Sequence, residues 1–127
     1  MITDHPELSK LAEELTTLID SVAASFGTES NRTVDGELDC DPTHPGHLVC
    51  WQYGVHLNGS TGAQRCLVEV VLPSLERTGW LARDRSNALE LIAQFSREGA
   101  DVNVHVARAG GGVAIVGSTR CLETPTP

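Results

Sequence analysis

The segment LVCWQYGVHLN, residues 48–58, carries the clearest strand pattern in the chain. Successive side chains of a β-strand point to opposite faces, so a strand with one covered face alternates between apolar and other residues. That alternation is complete here; its apolar members are Val49, Trp51, Tyr53, Val55 and Leu57. The intervening positions are polar or small, so the segment predicts a strand of a half-covered antiparallel sheet.

Two further elements are predicted ahead of this strand. Residues 6–26 place leucine and other apolar residues at three- and four-residue spacing, with acidic and polar residues between them. This is the pattern of an amphipathic helix, and Pro6 suits its first turn. Residues 33–40, TVDGELDC, form a weaker strand pattern.

The segment after the turn NGSTG (58–62) is ambiguous. Residues 63–78 place Leu67, Val71 and Leu75 on one side of a helix, and Gly79 is a natural helix end. Pro73 would kink that helix, and the valine-rich CLVEVVL (66–72) also suits a strand. We expect a helix over 63–78, with a strand followed by a helix as the alternative.

Periodicity also predicts the elements of the C-terminal third. A helix is expected from Ser86 to Gly99, with Leu89, Ile92 and Phe95 as its buried stripe. A β-hairpin follows over 102–115 and continues towards residue 121. The order α-β-β-α-α-β-β predicts an α+β domain spanning 1–127, with about four antiparallel strands, helices on one face, and frayed ends at 1–5 and 122–127.

Composition limits the classes of partner. The chain has 127 residues, a formal net charge of −8 and no apolar run of the roughly 20 residues that a membrane helix needs. Nucleic-acid affinity depends on clustered Lys and Arg, so we expect no nucleic-acid partner, and the charge favours a basic one. The first 15 residues lack a signal-peptide pattern, so the chain is either cytosolic or the mature part of a longer precursor.

A zinc site is one interpretation of the segment DCDPTHPGHLVC, residues 39–50. Its candidate ligands are Cys40, His44, His47 and Cys50, two thiolates and two imidazoles. However, all four lie within eleven residues, and two prolines restrict how the loop can fold back. We therefore expect no metal and no other cofactor.

Disulfide bonding is the interpretation that uses all four cysteines of the chain. Four cysteines allow three connectivities, and an even count in a small chain invites pairing. Their positions near the ends of predicted elements favour Cys40 with Cys50 and Cys66 with Cys121. Free thiols remain the other alternative. Disulfides persist in oxidising compartments, so this interpretation predicts a location outside the cytoplasm.

Several short motifs resemble the ectodomains of small actinobacterial lipoproteins that carry two cysteine pairs. They are CW (50–51), LERTGW (75–80) and VAIVGSTRCLETP (113–125). In such proteins a helix ending in Gly-Trp precedes another helix and a hairpin, which finishes in a Gly-x-Thr-x-Cys strand. The resemblance implies a cell-envelope location, a lipid anchor upstream of this chain, and a binding or accessory role without catalysis.

The sequence favours the loop from 39 to 48 as a binding surface. Asp41, His44 and His47 lie in it, and Trp51 follows as a possible anchor. A cross-linked, proline-containing loop would lose little conformational entropy on binding a protein or small ligand. We expect a non-enzymatic extracytoplasmic binding domain without catalytic residues. The alternatives are a cytosolic acidic binding protein, such as a toxin-neutralising immunity protein, and a zinc-binding protein.

Overall fold

The computed structural model describes residues 5–27, 29–58 and 61–124. Its helical elements are α1 (Pro6–Phe26), α2 (Ala63–Cys66), a π-helical turn (Leu67–Val71) and α3 (Leu72–Arg77). Its strands are β1 (Asn31–Asp39), β2 (Leu48–Leu57), β3 (Leu81–Asp84), β4 (Glu90–Arg97), β5 (Ala100–Ala107), β6 (Val113–Ser118) and β7 (Leu122–Glu123). None of the helices among these residues is long and apolar enough to cross a membrane. Of the residues that we expected to be frayed, 1–4 and 125–127 lie outside the described part of the chain.

The strands form one antiparallel sheet in the order β1-β2-β6-β5-β4-β3, and β7 pairs with the start of β2. The α+β class and the antiparallel sheet are therefore as predicted, but the sheet has seven strands rather than about four. The alternation along β2 is confirmed: its apolar residues face the helices and join the core. Val102, Val104, Val106, Val113 and Ile115 continue the same face on β5 and β6.

The helix expected from Ser86 to Gly99 is wrong, because this segment holds a loop and β4. Phe95 is 0% exposed in the core, whereas Leu89 is 78% exposed in the loop before the strand. Apolar residues three positions apart fit one face of a helix, but they also occur in strands whose apolar residues do not alternate strictly. Periodicity alone therefore did not separate a helix from a strand here. The β4–β5 turn decides the outcome, since Glu98 and Gly99 both have positive φ, which matches a two-residue hairpin.

The segment after β2 is helical from Ala63 to Arg77, as expected, with a local widening. In the π-helical turn the amide of Leu72 bonds to the carbonyl of Leu67, five residues earlier. The widening lies directly before Pro73, which lacks the amide hydrogen that a regular helix needs and crowds the preceding turn. The helix therefore continues past Pro73, which would otherwise end it.

Both helical segments cover the same face of the sheet. α1 buries Leu8, Ala12, Leu15, Ile19, Val22 and Phe26, and packs mainly against β2 and β6. α3 lies against β3. The groove described below lies between α1, the end of α3 and the turn from β4 to β5.

Candidate functional site

The loop between β1 and β2 is exposed but internally bonded. The carboxylate of Asp41 accepts hydrogen bonds from the amide and hydroxyl of Thr43, at 3.1 and 2.6 Å. These bonds, with the hydroxyl bond foremost, hold the pKa of Asp41 below its usual value. His44 Nδ1 lies 3.2 Å from Asp41 Oδ2, and its ring meets the His47 ring edge-on at 6.4 Å between centroids. Three of the predicted binding residues therefore lie together on one loop.

The base of this loop is fastened to the C-terminal segment. The amide of Thr124 donates to the carbonyl of His47 at 3.0 Å, and its hydroxyl donates to Gly46. A disulfide joins Cys40 to Cys121, across 81 positions of sequence. A disulfide therefore lies at the loop base, but it ties the loop to a distant segment and is not the predicted Cys40–Cys50 bond to β2.

The predicted pairing of the cysteines is wrong in both bonds. Cys50 and Cys66 are free thiols. Cys40 follows the last residue of β1 and its amide donates to the carbonyl of Leu48, whereas Cys50 is paired with Leu38. β7 brings Cys121 to the same end of β2. Cys66 lies on the helical side, where its thiol is 3.2 Å from the carbonyl of Ser25. Register and strand order, which the sequence did not reveal, decide the pairing.

The four ligands of the zinc interpretation are not assembled. Cys40 is oxidised, and the group of potential ligands around it contains Cys50 and Cys121 but neither His44 nor His47. Trp51 is also separated from the loop. It points into the core, is 7% exposed, and donates its indole N–H to Asp35 at 2.7 Å. We therefore do not retain Trp51 as a contact residue.

A groove that the sequence did not predict lies between α1 and the end of the sheet. Its volume is about 500 Å³, and we call it the Trp80 groove. Its apolar lining consists of Leu11, Leu15, Leu18, Trp80 and Ala100. This size lies within the range of 300–1,000 Å³ that is common for small-ligand sites.

The end of α3 positions the tryptophan of this groove. Gly79 has a φ of 94°, which is unfavourable for other residues, and it turns the chain after the helix. The amide of Trp80 then closes the helix end on the carbonyl of Leu75. The Gly-Trp pair was visible in the sequence, but the surfaces that face Trp80 come from distant segments.

The rim of the Trp80 groove carries charges of both signs. Glu14 and Glu98 oppose Arg97 and Arg120. Arg120 also bonds Glu7 at 2.6 Å. The buried hydroxyl of Thr119 is already satisfied, since it accepts from the amide of Trp51 and donates to the carbonyl of Arg120. The lining therefore offers an apolar wall and a charge-balanced rim.

Comparison with known proteins gave no match to a protein-family model, a curated protein or a solved structure.

Proposed function

We propose that this chain is a non-enzymatic extracytoplasmic domain that binds a small, uncharged, largely apolar ligand in the Trp80 groove. The observation that carries the proposal is the apolar lining of a cavity of ligand size, with an aromatic side chain in its wall. Pockets of this kind bind chiefly through buried apolar area, and a few polar groups orient the ligand.

The balance of charge favours an uncharged ligand. Two acidic and two basic side chains line the rim, so a net charge on the ligand gains little there. The chain as a whole carries a net charge of −8, which opposes the approach of anions. A hydroxyl or amide end can hydrogen-bond to either kind of rim residue.

Tryptophan fluorescence provides a direct test, because the chain has two tryptophans and Trp51 is not in the groove. In Trp51→Phe, Trp80 becomes the sole reporter. We expect 1-octanol to change its emission saturably, with weaker responses to octanoate and octylammonium. No saturable change with 1-octanol would contradict the proposal, and tighter binding of either ion would contradict the uncharged ligand.

A matched pair of variants locates the binding. Ala100 lines the groove, whereas Ala107 lies on the same strand and faces away from the helices. Ala100→Leu should fill the groove and weaken octanol binding at least tenfold. Ala107→Leu should leave it unchanged. Equal binding by both variants would place the ligand elsewhere.

The proposed compartment rests on the Cys40–Cys121 disulfide, because disulfides persist in oxidising environments. Alkylation of the protein from its native cells, under denaturing and non-reducing conditions, tests it. We expect one disulfide and two reactive thiols per chain. Four reactive thiols would instead favour the cytosolic acidic binding protein.

A second candidate function is a protein contact made by the loop from 39 to 48. Its support is an exposed loop that is bonded internally and tied covalently to the C-terminal segment. Replacing Asp41, His44 and His47 together by Ala should leave the unfolding temperature within a few degrees and weaken binding of a basic partner identified by cross-linking on cells. Unchanged affinity would remove this candidate.

A further inference from the structure

The free thiol of Cys50 lies beside the disulfide. The sulfur atoms of Cys40, Cys50 and Cys121 are all within 4.8 Å of one another. β1 and β7 flank β2 on opposite sides, Cys40 directly follows β1, and Cys121 directly precedes β7. The disulfide between these two cysteines therefore crosses β2 near Cys50. This bridge helps to explain why Cys50 is only 4% exposed although it points away from the helical core.

We propose that these three residues form a thiol–disulfide exchange site in which Cys50 is the internal nucleophile. The thiolate of Cys50 attacks the sulfur of Cys121. The Cys50–Cys121 bond forms, the Cys40–Cys121 bond breaks, and its electron pair passes to the sulfur of Cys40, which takes up a proton. The proton that Cys50 loses goes to water. One disulfide is present before and after, so no external oxidant or reductant is needed.

Register favours Cys121 as the sulfur that is attacked. Val49 pairs with Leu122, and the carbonyl of Trp51 accepts from the amide of Thr119. Cys50 therefore faces the short stretch that contains Cys121 on the neighbouring chain segment. Across β1, by contrast, Cys50 is opposite Leu38, and Cys40 is displaced along the strand.

The exchange would remove the covalent attachment of the loop from 39 to 48. In the Cys40–Cys121 form this loop is bound covalently to the C-terminal segment, and in the Cys50–Cys121 form only its hydrogen bonds remain. A free thiol would then lie at the loop base on Cys40. The site thus controls both the attachment of the loop and the position of a reactive group.

Peptide mapping distinguishes the two forms. The folded protein, purified without reductant, is incubated at about pH 9, because burial raises the pKa of the Cys50 thiol and its thiolate forms only in alkaline solution. It is then quenched with acid, unfolded and alkylated. Cleavage after Arg and before Asp separates Cys40 (39–40), Cys50 (41–65), Cys66 (66–77) and Cys121 (121–127). We expect 41–65 linked to 121–127 to increase with incubation, alongside 39–40 linked to 121–127.

Two variants control this measurement. Cys50→Ala should yield only the Cys40–Cys121 link, whereas Cys66→Ala should exchange as the wild type does, because Cys66 lies outside the cluster. As a check that does not depend on Cys50→Ala folding, Cys40→Ala treated with glutathione disulfide should form Cys50–Cys121. The proposal is overturned if 41–65 never links to 121–127, if Cys66→Ala abolishes that link, or if Cys50 links to Cys40 instead.

Discussion

Replacing Phe95 and Leu89 separately by Ala tests the strand β4 against the helix that the sequence suggested. The helix would bury both side chains, whereas in the structure Phe95 is 0% exposed and Leu89 is 78% exposed. Deleting a fully buried Phe removes its transfer free energy and leaves a cavity, for a total of about 3–5 kcal/mol. An exposed Leu outside the core should cost no more than about 0.5 kcal/mol.

Chemical unfolding, followed by circular dichroism, measures the loss in the free energy of unfolding for each variant. A domain of this size has a free energy of unfolding of roughly 6–19 kcal/mol, so Phe95→Ala should still fold. Its unfolding temperature should fall by roughly 10–20 °C, while that of Leu89→Ala should stay within a few degrees. A loss in Leu89→Ala that reaches half of the loss in Phe95→Ala would refute the assignment of β4.

Two further predictions concern the disulfide and the buried tyrosine. With Cys50 already replaced by Ala, removing the Cys40–Cys121 bond should lower the free energy of unfolding by about 4.5 kcal/mol, the loop-entropy value for a separation of 81 residues. Urea unfolding with and without reductant checks this, and a loss below about 1 kcal/mol would contradict it. Burial, together with the hydrogen bond from Tyr53 to Asp20, raises the pKa of this single tyrosine in the folded protein. The tyrosine of the unfolded chain therefore ionises at lower pH, and the free energy of unfolding falls as the pH rises past about 10. The ultraviolet absorbance of phenolate should show the raised pKa, and Asp20→Asn should lower it towards its ordinary value; an ordinary pKa in the unaltered protein would count against this environment.

Strands β2, β4 and β5 show how far the local sequence pattern predicted the sheet. Strict alternation in β2 and β5 predicted strands with one covered face, because the period of two leaves no helical alternative. In β4 the apolar residues were spaced so that helix and strand both fitted, and only pairing with β5 through the Glu98–Gly99 turn decided between them. For this reason β4 was missing from the predicted strands, and the short β3 and β7 had no predicted counterpart.

The sequence by itself determined α1, the strong strands and the α+β class, since each depends on side chains that are close along the chain. It also marked Cys40, Asp41 and His44 as one loop. Only the tertiary structure decided which cysteines meet and where the Trp80 groove lies. Both features join segments far apart in sequence, and their contacts follow from strand order and register, which local periodicity does not encode.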